Sequence, residues 1–349
     1  MKVLVTGAGA LLGQGIIRAL RASTLSAEII AVDPSPLAAG LYWADRAHLV
    51  PMANAPNYLP ALRRILERER PDAVLVGTDV ELPILSAHAD ALEDEHETFI
   101  VVSNPRVIEI ANDKWRTFEF MRDHGFDHPR SCLPGDEERL IDEVGYPLIV
   151  KPRVGARSIG LQMVRDRETL RRAIAAVPNA VIQECVGTPE TEYTAGTMTF
   201  GSDCASIVMR RDLRDGNTYR GFVEVYPELN EIVQRMALAL QAFGPANFQF
   251  RLDGDKAKVF EINGRYSGTT PLRMHAGFNE VEIALRYLLL GEPLHQPTIH
   301  PRIILRHWSE TVVESHELVA PQPETKLAGP HASFRMAPPV ASSFESYSQ

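Results

Sequence analysis

Residues 257–265 read AKVFEINGR. In an extended segment successive side chains point to opposite faces, so Glu261, Asn263 and Arg265 fall on one side. A carboxylate, an amide and a guanidinium sharing a face of an apolar strand are costly to bury without a ligand. Glu261 and the Asn263 oxygen are hard donors suited to Mg²⁺. Arg265 has the planar fork that grips a phosphoryl group through two N–H bonds. The competing reading, a solvent-facing carboxylate, leaves the two polar companions of Glu261 unexplained.

The preceding segment NFQFR supplies Gln249, and Asp253-Gly254-Asp255 reads as the hairpin loop between two strands. Register then matters. A two-residue Asp253-Gly254 loop pairs 252 with 255, so 249 meets 258 and Glu261 faces away. A three-residue loop pairs 253 with 257 and sets 249 opposite 261. A metal site containing Gln249 therefore predicts an odd-numbered loop.

Two segments upstream add groups that suit a nucleotide. In YPLIVKPRVGARSIG (146–160), Lys151 ends an apolar strand before a loop with Gly155, Ser158 and Gly160. Such a loop can fold over phosphates while the ammonium reaches their oxygens. It is not a Walker motif, because the lysine precedes the loop; the bland alternative is a surface lysine at a strand end. In VIQECVGTPETEY (181–193), an apolar strand runs into Glu184, Cys185 and Val186, where backbone groups could pair with an adenine edge. Glu192 could accept from ribose hydroxyls, although a glutamate after an apolar strand is commonly a surface residue.

The N-terminal third alternates strand and helix. KVLVT (2–6), EIIAVD (28–33), DAVLVGT (72–78) and FIVVS (99–103) read as strands, with helices after the Gly-rich turn, at 58–70 and from Leu82 to Leu92. This order predicts a parallel sheet covered on both faces. The turn GAGALLGQG with Gly7 and Gly9, followed by Asp33, resembles a dinucleotide fingerprint. Its spacing is G-x-G-x-x-x-G, so the glycines also fit a purely packing role. Asp79 and Glu81 follow the DAVLVGT strand, where α/β sheets bind ligands; a substrate amine and helix capping explain them equally well. Arg210, Arg211, Arg273 and His275 are candidates for a substrate carboxylate, against a solvated basic face.

Length and composition bound the rest. The chain has 349 residues and a net charge of −9, enough for two or three domains. The acidic balance argues against a nucleic-acid partner, which needs a cationic surface. No apolar run reaches the roughly 18 residues of a membrane span, and MKVLVTGAG is a strand and turn, not a signal peptide. Cys132, Cys185 and Cys204 form no zinc or redox motif, so a reducing cytoplasm is expected. A homodimer is the commonest assembly for such a protein.

The three segments 146–160, 181–193 and 249–265, in this order, resemble the ATP-grasp superfamily, and in particular the synthetase unit of carbamoyl-phosphate synthase large subunits and stand-alone carboxylate–amine ligases. The resemblance covers roughly residues 1–310. It implies an α/β chain with a Rossmann-like domain at 1–110 that binds no dinucleotide, a small lobe at 111–185 and a metal-bearing lobe at 186–320. A Pro- and Ser-rich tail, expected to be poorly ordered, fills 321–349. It implies ATP with Mg²⁺, or Mn²⁺ in its place, a small-molecule carboxylate and an amine. By matching motif, Lys114 in NDKW and Lys151 fall at phosphate contacts, Ser158 and Gly160 in the mobile loop, Glu184 and Val186 at the adenine hinge and Glu192 at ribose. Gln249, Glu261 and Asn263 fall on the metal positions and Arg265 beside the transferred phosphate. Two departures stand out. The loop carries Arg157 where many members have glycine, and Gly264 replaces the usual proline. Two other readings remain at this stage: an NAD(P)-dependent oxidoreductase using Gly7, Gly9 and Asp33, and a non-catalytic nucleotide-binding protein.

Overall fold

The computed structural model describes residues 1–155 and 158–320. Arg157 and the tail at 321–349 lie outside the described residues. As expected, the architecture is mixed α/β, a parallel sheet followed by two antiparallel ones.

The parallel sheet comprises β1 (Lys2–Val5), β2 (Glu28–Asp33), β3 (Arg46–Leu49), β4 (Ala73–Leu75) and β5 (Phe99–Val101), ordered β3-β2-β1-β4-β5. Its strands are apolar on both sides because both faces are covered. Val3 and Val5 join Ile16 and Ile17 of α1 (Leu11–Arg21) in one core. Leu4 points the other way, to Leu62 and Leu66 of α2 (Tyr58–Glu69) and Leu85 of α3 (Leu82–His96). The strand order reverses between β1 and β4, which opens the usual ligand crevice above their carboxyl ends.

Helices α4 (Pro105–Asn112) and α5 (Lys114–Asp123) follow, capped by the side chains of Asn104 and Asp113. A four-stranded sheet comes next. It holds β6 (Ser131–Cys132), β7 (Leu148–Pro152), β8 (Gln162–Val164) and β9 (Ala180–Glu184), with α6 (Glu137–Val144) and α7 (Arg167–Ala176) burying Leu140, Leu148, Leu170 and Ile182.

The third sheet has six strands: β10 (Glu192–Phe200), β11 (Asp203–Arg214), β12 (Asn217–Val223), β13 (Gly244–Asp253), β14 (Lys256–Asn263) and β15 (Arg302–Leu305), in the order β14-β13-β10-β11-β12-β15. One face packs on α8 (Pro227–Leu240) through Phe248, Phe250 and Met236. The other shares a core with the first sheet, where Met198 and Ile207 meet Ile16 and Ile17 and the helices α9 (Thr270–His275) and α10 (Glu280–Leu290).

Strands β3, β6, β12 and β15 and helices α4, α6 and α9 are not predicted from the sequence. The elements β3, β6 and α9 have only four, two and six residues, too short for a periodic signal. For β12 a signal exists: Asp215-Gly216 is a two-residue hairpin loop with φ of 52° and 72°.

The hairpin β13–β14 departs from both registers considered. Asp253 pairs with Lys256, so the loop is the even-numbered Gly254-Asp255. The predicted odd loop is absent. The same offset comes instead from a bulge: Phe250 pairs with Val259 and Gln249 with Glu261, which leaves Phe260 as an extra residue.

Close packing explains the N-terminal glycines. A Cβ on Gly13 would lie 2.2 Å from the Gly7 carbonyl oxygen, and one on Gly77 would lie 2.0 Å from that of Thr6. Alanine is the better helix former by about 1 kcal/mol, so a loss at Gly13 in α1 isolates the steric conflict. Gly13→Ala should lower unfolding stability by about 1–3 kcal/mol, the usual cost of overpacking. An unchanged urea midpoint would show that α1 is not seated on this turn.

Candidate functional site

The bulge at Phe260 aligns four polar side chains. Gln249 Nε2 lies 3.5 Å from Glu261 Oε1, and Asn263 Nδ2 donates to the same oxygen at 3.1 Å. Arg265 Nη2 donates to Asn263 Oδ1 at 2.9 Å. The bulged residue leaves the ladder, and its carbonyl faces the smaller sheet, where Lys151 Nζ donates to it at 3.4 Å. Lys151 on β7 and the Glu261 face on β14 therefore border one cleft between two sheets.

Lys151 is 6% exposed, and its ammonium also donates to Gln183 Oε1 at 2.8 Å. Burial, reinforced by the positive charge of Lys114, pulls its pKa down to about 7. Lys114 Nζ, at the start of α5, donates to the Gly155 carbonyl at 2.7 Å. Asp113 holds Arg153 through three hydrogen bonds, two from Nε at 3.1 Å and one from Nη2 at 2.5 Å, which ties α5 to the end of β7. Two buried ammoniums thus face the cleft with neutral partners. Beyond Gly155, Ser158 and Gly160 take left-handed φ of 55° and 77°.

The segment after β9 differs in part from expectation. Glu184 accepts from the Arg130 backbone N–H and from Lys258 Nζ, each at 2.9 Å, so its side chain joins β6, β9 and β14. The Val186 carbonyl accepts from Arg251 at 3.3 Å. Glu192, expected at ribose, is 4% exposed and clamped between Arg211 at 2.8 Å and Arg251 at 2.8 Å. Both oxygens are engaged in ion pairs, so Glu192 orients two guanidiniums. Glu190, one turn earlier, is the exposed carboxylate of this stretch.

The four basic candidates separate. Arg211 reaches the site, donating to Gln249 Oε1 at 2.7 Å as well as to Glu192. Arg273 does not. It is fully buried, bonds Glu280 at 2.6 Å and Thr194 at 3.1 Å, and fills the space that a Cβ on Gly196 would occupy. Arg210 lies on the Phe222 ring and pairs with Asp212, and His275 is exposed on α9.

The first sheet contributes Asp79, whose Oδ1 accepts from Arg265 Nε at 2.5 Å. Glu81 is buried and accepts from the Thr6, Thr78 and Tyr58 hydroxyls at 2.6–2.7 Å. It braces the crevice from below and is closed to a substrate amine. The dinucleotide reading meets two obstacles. Asp33 accepts from the Gly9 and Ser35 backbone N–H groups at 2.8 and 2.9 Å. The Ala38 Cβ already stands 2.7 Å from where a Gly9 Cβ would be, covering the turn that a pyrophosphate must approach.

Among the described residues no cluster of three His, Cys, Asp or Glu side chains could hold a metal. The donor set of Glu261, Gln249 and Asn263 has one carboxylate and two amides. It fits a hard cation that is shared with phosphate oxygens and water, as Mg²⁺ commonly is, and does not fit an all-protein cage. Both amides now turn their N–H₂ toward Glu261; rotating the terminal torsion presents their oxygens instead.

Three family descriptions match the chain: "PylC-like, N-terminal domain" over residues 3–100, "RimK-like ATP-grasp domain" over 111–242 and "ATP-grasp in the biosynthetic pathway with Ter operon" over 178–311. The carbamoyl phosphate synthase large chain of Methanosarcina mazei is 22% identical over 303 residues, which is 77% of this chain and 28% of that one. The chain thus spans less than a third of that relative's length. Among solved structures, the L-amino acid ligase of Bacillus licheniformis superposes with a TM-score of 0.65 at 18% identity, covering 86% of this chain and 78% of that one. The biotin carboxylase domain dimer of the Hydrogenobacter thermophilus 2-oxoglutarate carboxylase, solved with MgADP, ADP and bicarbonate, gives 0.67 at 20% identity, covering 86% and 73%. The two antiparallel sheets and the sequence matches over them agree: residues 111–311 match ATP-grasp domains, and residues 3–100 match a PylC-like N-terminal domain.

Proposed function

We propose that the protein is an ATP-dependent ligase that couples a carboxylate to an amine through an acyl phosphate. The observation that carries this reading is the row Gln249–Glu261–Asn263–Arg265 beside the buried ammonium of Lys151, whose hydrogen-bond partners are all neutral. Buried cations without carboxylate partners are costly, and a polyphosphate offsets that cost. The solved structure with MgADP supports the choice of nucleotide and ion.

In this reading Lys114 and Lys151 hold the phosphates, the backbone at Glu184–Val186 receives the adenine and Glu190 takes the ribose position first assigned to Glu192. Ser158 and Gly160 lie in the loop over the phosphates. Glu261, Asn263 and Gln249 would hold Mg²⁺, or Mn²⁺ in its place, which would neutralise phosphate charge. A carboxylate oxygen attacks the γ-phosphorus and the bond to ADP breaks. The amine nitrogen then attacks the acyl carbon, phosphate leaves and the nitrogen loses a proton. Arg265, held by Asp79, and Arg211, held by Glu192, present guanidiniums to the charge that develops. Little covalent chemistry falls to the protein, so rate comes from positioning and charge. Assembly as a homodimer is part of the proposal, since the Hydrogenobacter domain is a dimer. Among the described residues no helix is long and apolar enough to cross a membrane.

A screen of carboxylate and amine pairs for phosphate release, with mass spectrometry of the product, tests the reaction. Calorimetric titration of ATP and NADH with and without Mg²⁺ tests the nucleotide. With a substrate pair in hand, Lys151→Ala and Arg265→Ala should each reduce kcat by roughly 10²–10³, or about 2.7–4 kcal/mol. Glu261→Gln should raise the Mg²⁺ requirement; undiminished turnover at low Mg²⁺ in this variant would sink the metal assignment.

Lys151 also makes stability depend on pH. Its folded pKa of about 7 lies below the ordinary 10.5, so between these values the unfolded chain binds the extra proton. Stability of the nucleotide-free protein therefore rises with pH through this window. Lys151→Met removes the burdened amine. Its stability advantage over the parent should be largest near pH 7 and should shrink toward pH 10. Urea unfolding at several pH values gives the comparison, and a difference that does not vary with pH refutes the assigned cause.

A further inference from the structure

A second cavity, of about 620 Å³, lies between the C-terminal half of α1, helix α9 and residues 304–311. Ile17, Trp43, Pro271 and Leu305 give it an apolar wall. Two guanidiniums converge on it. Arg18 stands 5.0 Å from the centre of the Trp43 ring, and Arg306 donates to the Gly268 carbonyl. Burial and the charge of Arg18 together push the Arg306 pKa down, and no carboxylate offsets them. The third arginine of the lining, Arg21, is already paired with Asp45 at 2.9 Å. His275 and His307 add further donors, and Glu310 is the one acid of the lining.

Arg306 is half-buried and Arg18 exposed at the mouth, so their like charges repel across the cavity and an anion between them relieves that repulsion. We propose that this cavity is a second ligand site, for a small organic anion with an apolar body. Arg306 and Arg18 take the charged group, and Trp43 and Leu305 take the body. The site is separate from the nucleotide cleft but is joined to it by chain. Gly268 lies three residues beyond Arg265, and α9 starts at Thr270. An anion that draws Arg306 from the Gly268 carbonyl loosens the turn following Arg265. Coupling of this kind is reciprocal, so nucleotide at the cleft alters anion affinity in turn.

Isothermal calorimetry on the full chain, with no turnover required, tests the proposal independently of the ligase reading. The probes are phenyl phosphate, benzoate and inorganic phosphate, each with and without saturating ATP. Phenyl phosphate or benzoate should bind at one site per chain and more tightly than inorganic phosphate. Preference for phenyl phosphate identifies a phosphate monoester as the natural class, and preference for benzoate identifies a carboxylate. Arg306→Met and Arg18→Gln should each weaken binding about tenfold, or about 1.4 kcal/mol, with Arg306→Lys intermediate. Arg18 is exposed on α1, so its substitution leaves the fold intact and keeps the test valid if Arg306 variants misfold. Absence of binding by all three probes, equal affinity in Arg18→Gln, or full displacement of the probe by ATP would overturn the site.

Discussion

One extra residue in β14 governs the geometry of the cleft. Without the bulge at Phe260, the pairing set by Gly254-Asp255 would bring Gln249 opposite residue 260 and leave Glu261 on the other face. The bulge corrects the register, so that Gln249, Glu261 and Asn263 share a side. It also releases the Phe260 carbonyl from the ladder and turns it toward Lys151. A single irregularity therefore builds the polar row and joins it to the neighbouring sheet.

The buried charges divide into closed and open networks. Arg273 is fully buried, yet Glu280 engages Nη1, Thr194 and Asn247 engage Nη2, and Gly196 leaves it room, so that Nε alone has no partner among the described residues. Such a network holds α9 and α10 against the six-stranded sheet and has no capacity for a ligand. Lys151 is also deeply buried, but its hydrogen-bond partners are an amide oxygen and a carbonyl, both neutral. Desolvation and the charge of Lys114 outweigh the attraction of Glu261, and the Lys151 pKa falls. The open network marks where an anion belongs.

This distinction also sets how much could be read from the sequence. The alternation in VFEINGR and the lysine at the end of PLIVK are local patterns, and each is visible in a few residues. Partners distant in sequence are not. Glu192 looks like a free carboxylate until Arg211 and Arg251 close on it from β11 and β13. Arg273 looks like part of a basic surface until Glu280 is folded against it. The hairpin register escaped for a related reason: a bulge changes two-residue periodicity by one, and no residue type in NFQFRLDGDKAKVFEIN announces it. The overlooked β12 is different, because Asp215-Gly216 was legible as a hairpin loop.

The N-terminal domain shows how a dinucleotide-like turn can serve another end. Its glycines admit close contacts between β1, α1 and the loop after β4, and Asp33 ties down the Gly9 N–H. With Ala38 over the turn, the crevice between β1 and β4 is closed to a pyrophosphate on that side. What remains available at the switch point is Asp79, and it is Arg265 of the same chain that occupies it. The rule that α/β sheets bind at the carboxyl ends of their strands is obeyed here by an internal partner. The consequence is mechanical: Arg265 is anchored at Nε by the first sheet and at Nη2 by Asn263 of the third. Any movement between these sheets must move or release that guanidinium, so the first domain is coupled to the cleft through this arginine as well as through the shared core.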